Sequence, residues 1–130
     1  MTDNFDLDIK MPTILVIDDD DDVLDITTRI LETENYKTLK AINVAHAMAL
    51  LELNWVDLII LDLCMPRKNG TYLFSFLDES YPNVKIIVYS GYNLNSHPDK
   101  ELVLSRAFKF VEKGKNSKTL LEAVSSALKQ

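Results

Sequence analysis

The chain has 130 residues, nearly half of them hydrophobic and about a quarter charged, with a formal net charge of −6. That size suits one domain with a buried core, and the acidic balance disfavours phosphate backbones and anionic membranes as partners. There is no run of about 18 apolar residues and no signal-peptide pattern. The single cysteine, Cys64, cannot form an internal disulfide, which points to a reducing cytoplasm.

Residues 1–12 are polar and acidic (Thr2, Asp3, Asn4, Asp6, Asp8) and end at Pro12; they read as a flexible leader before one domain over 13–130. Ile14–Ile17 is a short β-branched run and predicts a strand. Asp21 to about Thr33 has apolar residues at helical spacing. Tyr36–Ala41 predicts a second strand, entered through Asn35, which tolerates left-handed geometry. Val44–Leu53 predicts a helix and Val56–Leu61 a third strand. After a loop marked by Met65-Pro66 and Asn69-Gly70, Tyr72–Asp78 continues as a helix. Pro82-Asn83 turns the chain into a fourth strand, Val84–Tyr89. A long loop from Ser90 to Pro98 precedes a short helix, Asp99–Arg106. Phe108–Val111 is the fifth strand and Ser117–Lys129 the last helix.

Five strands alternating with five helices predict an α/β fold, a single doubly wound parallel sheet covered on both faces. Near-continuous apolar runs in strands one, three and four fit burial from both sides. The order 2-1-3-4-5 is the common solution, and ligands then sit at the carboxyl edge, where strands one and three meet.

That edge is where the chemistry collects. The first strand ends in Asp18-Asp19 and the third in Asp62, so three carboxylates converge and need positive charge between them. A hard divalent cation with oxygen ligands, Mg²⁺, is the natural candidate. Ser90 ends the fourth strand and Lys113 follows the fifth, at the same edge. A carboxylate, a metal site, a hydroxyl and an ammonium suit phosphoryl transfer onto the carboxylate, with Asp62 as nucleophile. Mg²⁺ would sit between Asp18 or Asp19, Asp62 and the phosphoryl group.

The same residues and their neighbours admit plainer readings. Asp20, Asp21 and Asp22 read as acids capping a helix start. The run also imitates a calcium loop, but Val23 stands where that loop needs Gly and Arg29 where it needs Glu. His46 and His97 are isolated, and Cys64 has no sequence partner for catalysis. Trp55, Tyr72 and Phe74 read as packing residues.

The segments Ile14–Asp19, Asp57–Pro66, Asn69-Gly70, Ile86–Gly91 and Phe110–Lys113, in that order, resemble the receiver domain of two-component response regulators. The resemblance covers residues 13 to 129 and implies a flavodoxin-like receiver fold. It implies that Asp62 accepts phosphate from a histidine kinase or phosphotransfer protein. It also implies that Asp18, Asp19 and the backbone carbonyl of Cys64 hold Mg²⁺. Ser90 and Lys113 would meet phosphoryl oxygens, and Phe110 would report the change to a downstream output protein or domain. Such a switch is not a turnover enzyme, and its phosphorylated form can pair as a homodimer. The sequence departs from the family pattern in three places. Gly114 stands where Pro usually follows the lysine. Arg106-Ala107 replaces Gly-Ala. The loop after Ser90 is about one residue longer and carries Tyr92, bulky enough to screen the phosphoryl group.

Two alternatives stand beside the switch. One is a degenerate receiver used as a constitutive docking module. The other is a small phosphohydrolase of the haloacid-dehalogenase type, which Asp19-x-Asp21-x-Val23 loosely fits, although the chain is short and the downstream acidic pair is missing.

Overall fold

Short β-branched runs become strands, and stretches with helical spacing become helices. The computed structural model describes residues 11–63, 70–91, 100–114 and 116–129. Among them, in chain order, are β1 (Thr13–Ile17), α1 (Asp21–Glu32), β2 (Lys37–Ala41), α2 (Val44–Leu53) and β3 (Leu58–Leu61). Then follow α3 (Gly70–Ser80), β4 (Lys85–Ser90), α4 (Lys100–Arg106), β5 (Lys109–Glu112) and α5 (Ser117–Leu128). The leader through Lys10, the loop with Cys64 and Asn69, and the loop with Tyr92 and His97 lie outside the described residues.

The strands form one sheet in the order β2-β1-β3-β4-β5, all pairs parallel. Alternation along each strand divides the core in two. Leu15, Ile17, Ile59, Leu61, Ile86 and Val88 pack under α2, α3 and α4, with Phe74 and Leu77 of α3 fully buried there. Ile14, Val16, Leu58, Ile60, Ile87 and Val111 pack under α1 and α5. β3 is buried at every position, which is why its sequence is an unbroken apolar run.

Local chemistry sets the boundaries. Asp20 caps α1, its Oδ1 accepting from the N–H groups of Asp22 at 2.9 Å and Val23 at 3.2 Å. Asn43 caps α2 and Asn116 caps α5 in the same way. Asn35 adopts the left-handed conformation at φ 66°, turning the chain out of α1 toward β2. β3 begins two residues later than its sequence suggests. There the chain is tied sideways to β1, with Asp57 N–H donating to the Thr13 carbonyl and Thr13 N–H to the Asp57 carboxylate, both at 2.8 Å. Pro12 is already part of the sheet's start, since its carbonyl accepts from Lys37 N–H at 2.8 Å.

Two aromatic residues depart from expectation. Phe74 is packing, but Trp55 is 81% exposed and Tyr72 56% exposed. Trp55 follows the end of α2, where its indole N–H donates to Asp57 at 2.9 Å, and Tyr72 lies on the outer side of α3. Helical spacing within a short segment does not tell which aromatic faces the sheet. Phe74→Ala should therefore lower unfolding free energy by about 3–5 kcal/mol. Tyr72→Ala should change it by about 0.5 kcal/mol or less. Urea unfolding midpoints at constant m-value check both.

Candidate functional site

β1 and β3 are neighbours in register, so their ends place Asp18 and Asp62 side by side. Asp18 N–H donates to the Ala41 carbonyl and Asp62 N–H to the Ile17 carbonyl, both at 3.0 Å, continuing the sheet ladder one residue past each strand. Those bonds aim both side chains at the carboxyl edge while keeping them nearly covered, 3% exposed for Asp18 and 5% for Asp62. Asp19 is exposed at the rim. The carboxylate oxygens of all three lie within 4.8 Å of one another.

Lys113 reaches this cluster from the other half of the sheet. Its backbone N–H donates to the Ser90 carbonyl at 3.0 Å, which fixes the turn after β5 against the end of β4. Its Nζ then donates to Asp18 Oδ2 at 2.7 Å and lies 3.4 Å from Asp62 Oδ2. Asp18 Oδ1 accepts from Asp20 N–H at 3.0 Å, so both of its oxygens are engaged. The bend after Lys113 is made by Gly114 in the left-handed conformation at φ 91°. A side chain there would be strained, so the bend depends on glycine at this position.

Among the described residues, the electrostatics follow from the Lys113 cation shared between Asp18 and Asp62. Burial pushes the Asp18 carboxyl above its ordinary value, and nearby Asp62 adds to this, against the opposing pull of the Lys113 and Asp20 hydrogen bonds. Burial works to lower the Lys113 ammonium, but its bonds and attraction to Asp18 and Asp62 outweigh that and raise it. The two shifts conflict as a simple ion pair, because each favours a different charge state of the couple. They have different origins: burial is the largest cause at Asp18, with Asp62 adding a little, while Lys113 gains from two carboxylates.

The donor set is all oxygen, which fits a hard cation. Two oxygens on one Mg²⁺, at roughly 2.0–2.1 Å each, lie no more than about 4.2 Å apart, so the cluster closes by a small side-chain movement. Asp20 belongs to the helix cap, and Asp21 and Asp22 are exposed in the first turn of α1. Ser90 is fully buried at the end of β4. Phe110 is half-buried beneath the helices of the α2–α4 face. Tyr89, which the sequence had offered only as a strand residue, places its ring centroid 5.9 Å from Lys113 Nζ. Strand alternation alone does not reveal this; it follows from the register between β4 and β5, which pairs Tyr89 with Val111, two residues before Lys113.

Comparison with known proteins agrees with this geometry. Residues 14–125 match the family model described as the response regulator receiver domain. The chain is 29% identical over 122 residues to the transcriptional regulatory protein GlrR of Escherichia coli K12, covering 93% of this chain and 27% of that protein. It is similar to a CheY-like receiver domain protein of Methanospirillum hungatei, with a TM-score of 0.82 and 29% identity over 92% of this chain and 94% of that one. Another similar structure is the response regulator TrrA of Thermotoga maritima, solved with Mg²⁺ and BeF, with a TM-score of 0.81 and 30% identity. That match covers 91% of this chain and 100% of the other. The chain spans from about an eighth to about half of the length of the curated relatives it matches.

The raised Asp18 carboxyl has a consequence for stability. A carboxyl that holds its proton more tightly folded than unfolded costs stability as pH climbs from its ordinary 3.8 through the raised value, and the full cost is present at neutral pH. Asp18→Asn should therefore raise Tm at pH 7 in chelator, and the gain should shrink in acid, where the parent carboxyl is already protonated. Thermal melts of both chains across pH check this.

Proposed function

This chain belongs to the response regulator receiver family, and from that premise we propose that it is a phosphorylatable switch whose acceptor is Asp62. The observation that carries the reading is the buried Asp62 carboxylate, set 3.4 Å from the Lys113 ammonium and grouped with Asp18 and Asp19.

An Asp62 carboxylate oxygen attacks the phosphorus of a phosphohistidine on a kinase or phosphotransfer protein. The phosphorus–nitrogen bond breaks, the imidazole leaves and takes up a proton, and an acyl phosphate forms on Asp62. Asp18, Asp19, Asp62 and the Cys64 carbonyl would hold Mg²⁺, which when bound supplies positive charge opposite the phosphoryl oxygens. Lys113, already at the mouth of the cluster, shifts from the Asp62 oxygen to a phosphoryl oxygen and keeps the charge balanced. The Ser90 hydroxyl donates to another phosphoryl oxygen. The burial of Asp62 and Ser90 limits the access of hydrolytic water.

The signal leaves through β4 and β5. Ile86 and Val88 face the α2–α4 side, so Ser90, two residues further, lies on that side too. Phe110 packs there from the neighbouring strand, in register with Val88. A pull on Ser90 toward the phosphoryl group therefore opens space beside Phe110, and the ring's movement changes the surface around α4 and β5. The output is a partner protein or a further domain, with the cytoplasm as the proposed location. Among the described residues no helix is long and apolar enough to cross a membrane. In this reading the chain is a switch and not a turnover enzyme, because the phosphoryl group on Asp62 is the signal itself and not an intermediate on the way to a released product.

Incubation with acetyl phosphate and Mg²⁺ should give a single phosphoryl adduct by intact mass, absent with chelator and absent in Asp62→Asn. A folded chain without an adduct would favour a docking module. Turnover of phosphate esters that depended on Asp19 would favour a phosphohydrolase. Mg²⁺ at ten times its Kd should stabilise the fold by about 1.4 kcal/mol, read as a rise in Tm of a few degrees; an unchanged Tm at saturating Mg²⁺ would count against the assigned metal site.

A further inference from the structure

Lys113 carries a long flexible stem, and the two acids beside it compete for one ammonium. Carboxylates alone leave such a group several positions of similar energy. A third surface narrows them. Tyr89 stands immediately before Ser90 in β4, half-buried on the α1/α5 side, with its ring centroid 5.9 Å from Lys113 Nζ. Val111 pairs with Tyr89 across the sheet, and the Lys113 backbone is bonded to Ser90 at 3.0 Å. The strand that holds the ring thus also anchors the lysine's backbone. Burial raises the phenol of Tyr89, so the ring stays neutral and presents its electron-rich face rather than a fixed charge.

We propose that Tyr89 is a positioning residue for Lys113, its aromatic face steering the ammonium toward the phosphoryl position beside Asp62. The consequence for phosphorylation rests on the functional reading above; the ring–ammonium contact itself does not. An aliphatic residue at this position could fill the same space but would not attract a cation. A phenyl ring would attract it nearly as well as tyrosine, so the hydroxyl is dispensable and the ring is not. The 5.9 Å separation is near the outer limit for such contacts, about 6 Å, so the effect is an adjustment of rate and not its loss.

The test uses the full chain with Tyr89→Phe, Tyr89→Leu and Tyr89→Met, each also combined with Lys113→Met. Two ring-free variants keep the test alive if one fails to fold. The initial rate of adduct formation from acetyl phosphate and Mg²⁺ should fall about two- to fivefold in the ring-free variants and stay near parental in Tyr89→Phe. With Lys113→Met already present, removing the ring should cause no further loss. An equal loss in that background would mean Tyr89 acts through packing and would overturn the proposal, as would a parental rate in both ring-free variants. Independently, the Lys113 side-chain methylene resonances should be shifted upfield by the ring in the parent and in Tyr89→Phe, and lose that shift in the ring-free chains. Unshifted Lys113 resonances in the parent would overturn the contact. If the parent takes up no phosphoryl group, the functional reading fails while the resonance measurement still decides the contact.

Discussion

Three carboxylates at one edge of a sheet repel each other, and among the described residues it is the Lys113 ammonium, brought from the other half of the sheet, that holds them together. Lys113 bonds Asp18 at 2.7 Å and approaches Asp62 at 3.4 Å. Neither carboxylate has much water to stabilise it, so the cation's position matters more here than it would on the surface. The charge is still unbalanced toward the negative. That imbalance suits the cluster to a second cation and, in the proposed function, to a phosphoryl group whose oxygens would meet Lys113.

The fold supplies this meeting by topology. Because the order is β2-β1-β3-β4-β5, β1 and β3 end next to one another and β4 and β5 end beside them. Every strand is parallel, so all four carboxyl ends open on the same side. The apolar faces that drive the strands together are thus the cause of the polar cluster: Leu58–Leu61 and Thr13–Ile17 are buried along nearly their whole length, and the first residues past them are the acids. A side chain packed in the buried layer beneath α2–α4 moves only if space opens beside it.

Departures from the family pattern are met by different local means. Gly114 makes the bend after Lys113 through a left-handed backbone at φ 91°. Arg106 occupies a position where glycine is usual, and its guanidinium closes the end of α4. Its Nε donates to Asp78 at 2.7 Å and a terminal nitrogen to the Val84 carbonyl at 3.1 Å, tying α4 to α3 and to the start of β4. The exposed Asp78 contributes little energy alone, but the bond to a backbone carbonyl fixes where the arginine sits.

Much of this was legible in the sequence for one reason: fully buried parallel strands leave an apolar run, and the residue that ends the run is displayed at the sheet edge. Asp18, Asp62, Ser90 and Lys113 could be placed at that edge from local pattern, and predicted element boundaries differ from the observed ones by no more than two residues. Asn35 and Asp20 were readable because a left-handed turn and a helix cap depend on neighbours only. The sequence by itself thus determined the alternation of elements, the sheet order and the set of acids. Only the tertiary structure decided that Trp55 and Tyr72 face outward while Phe74 is buried, that Lys113 favours Asp18 over Asp62, and that Tyr89 lies beside its ammonium. Those outcomes depend on distances between segments far apart in the chain, and a local pattern holds no information about which of two acids at the same sheet edge a flexible lysine will meet.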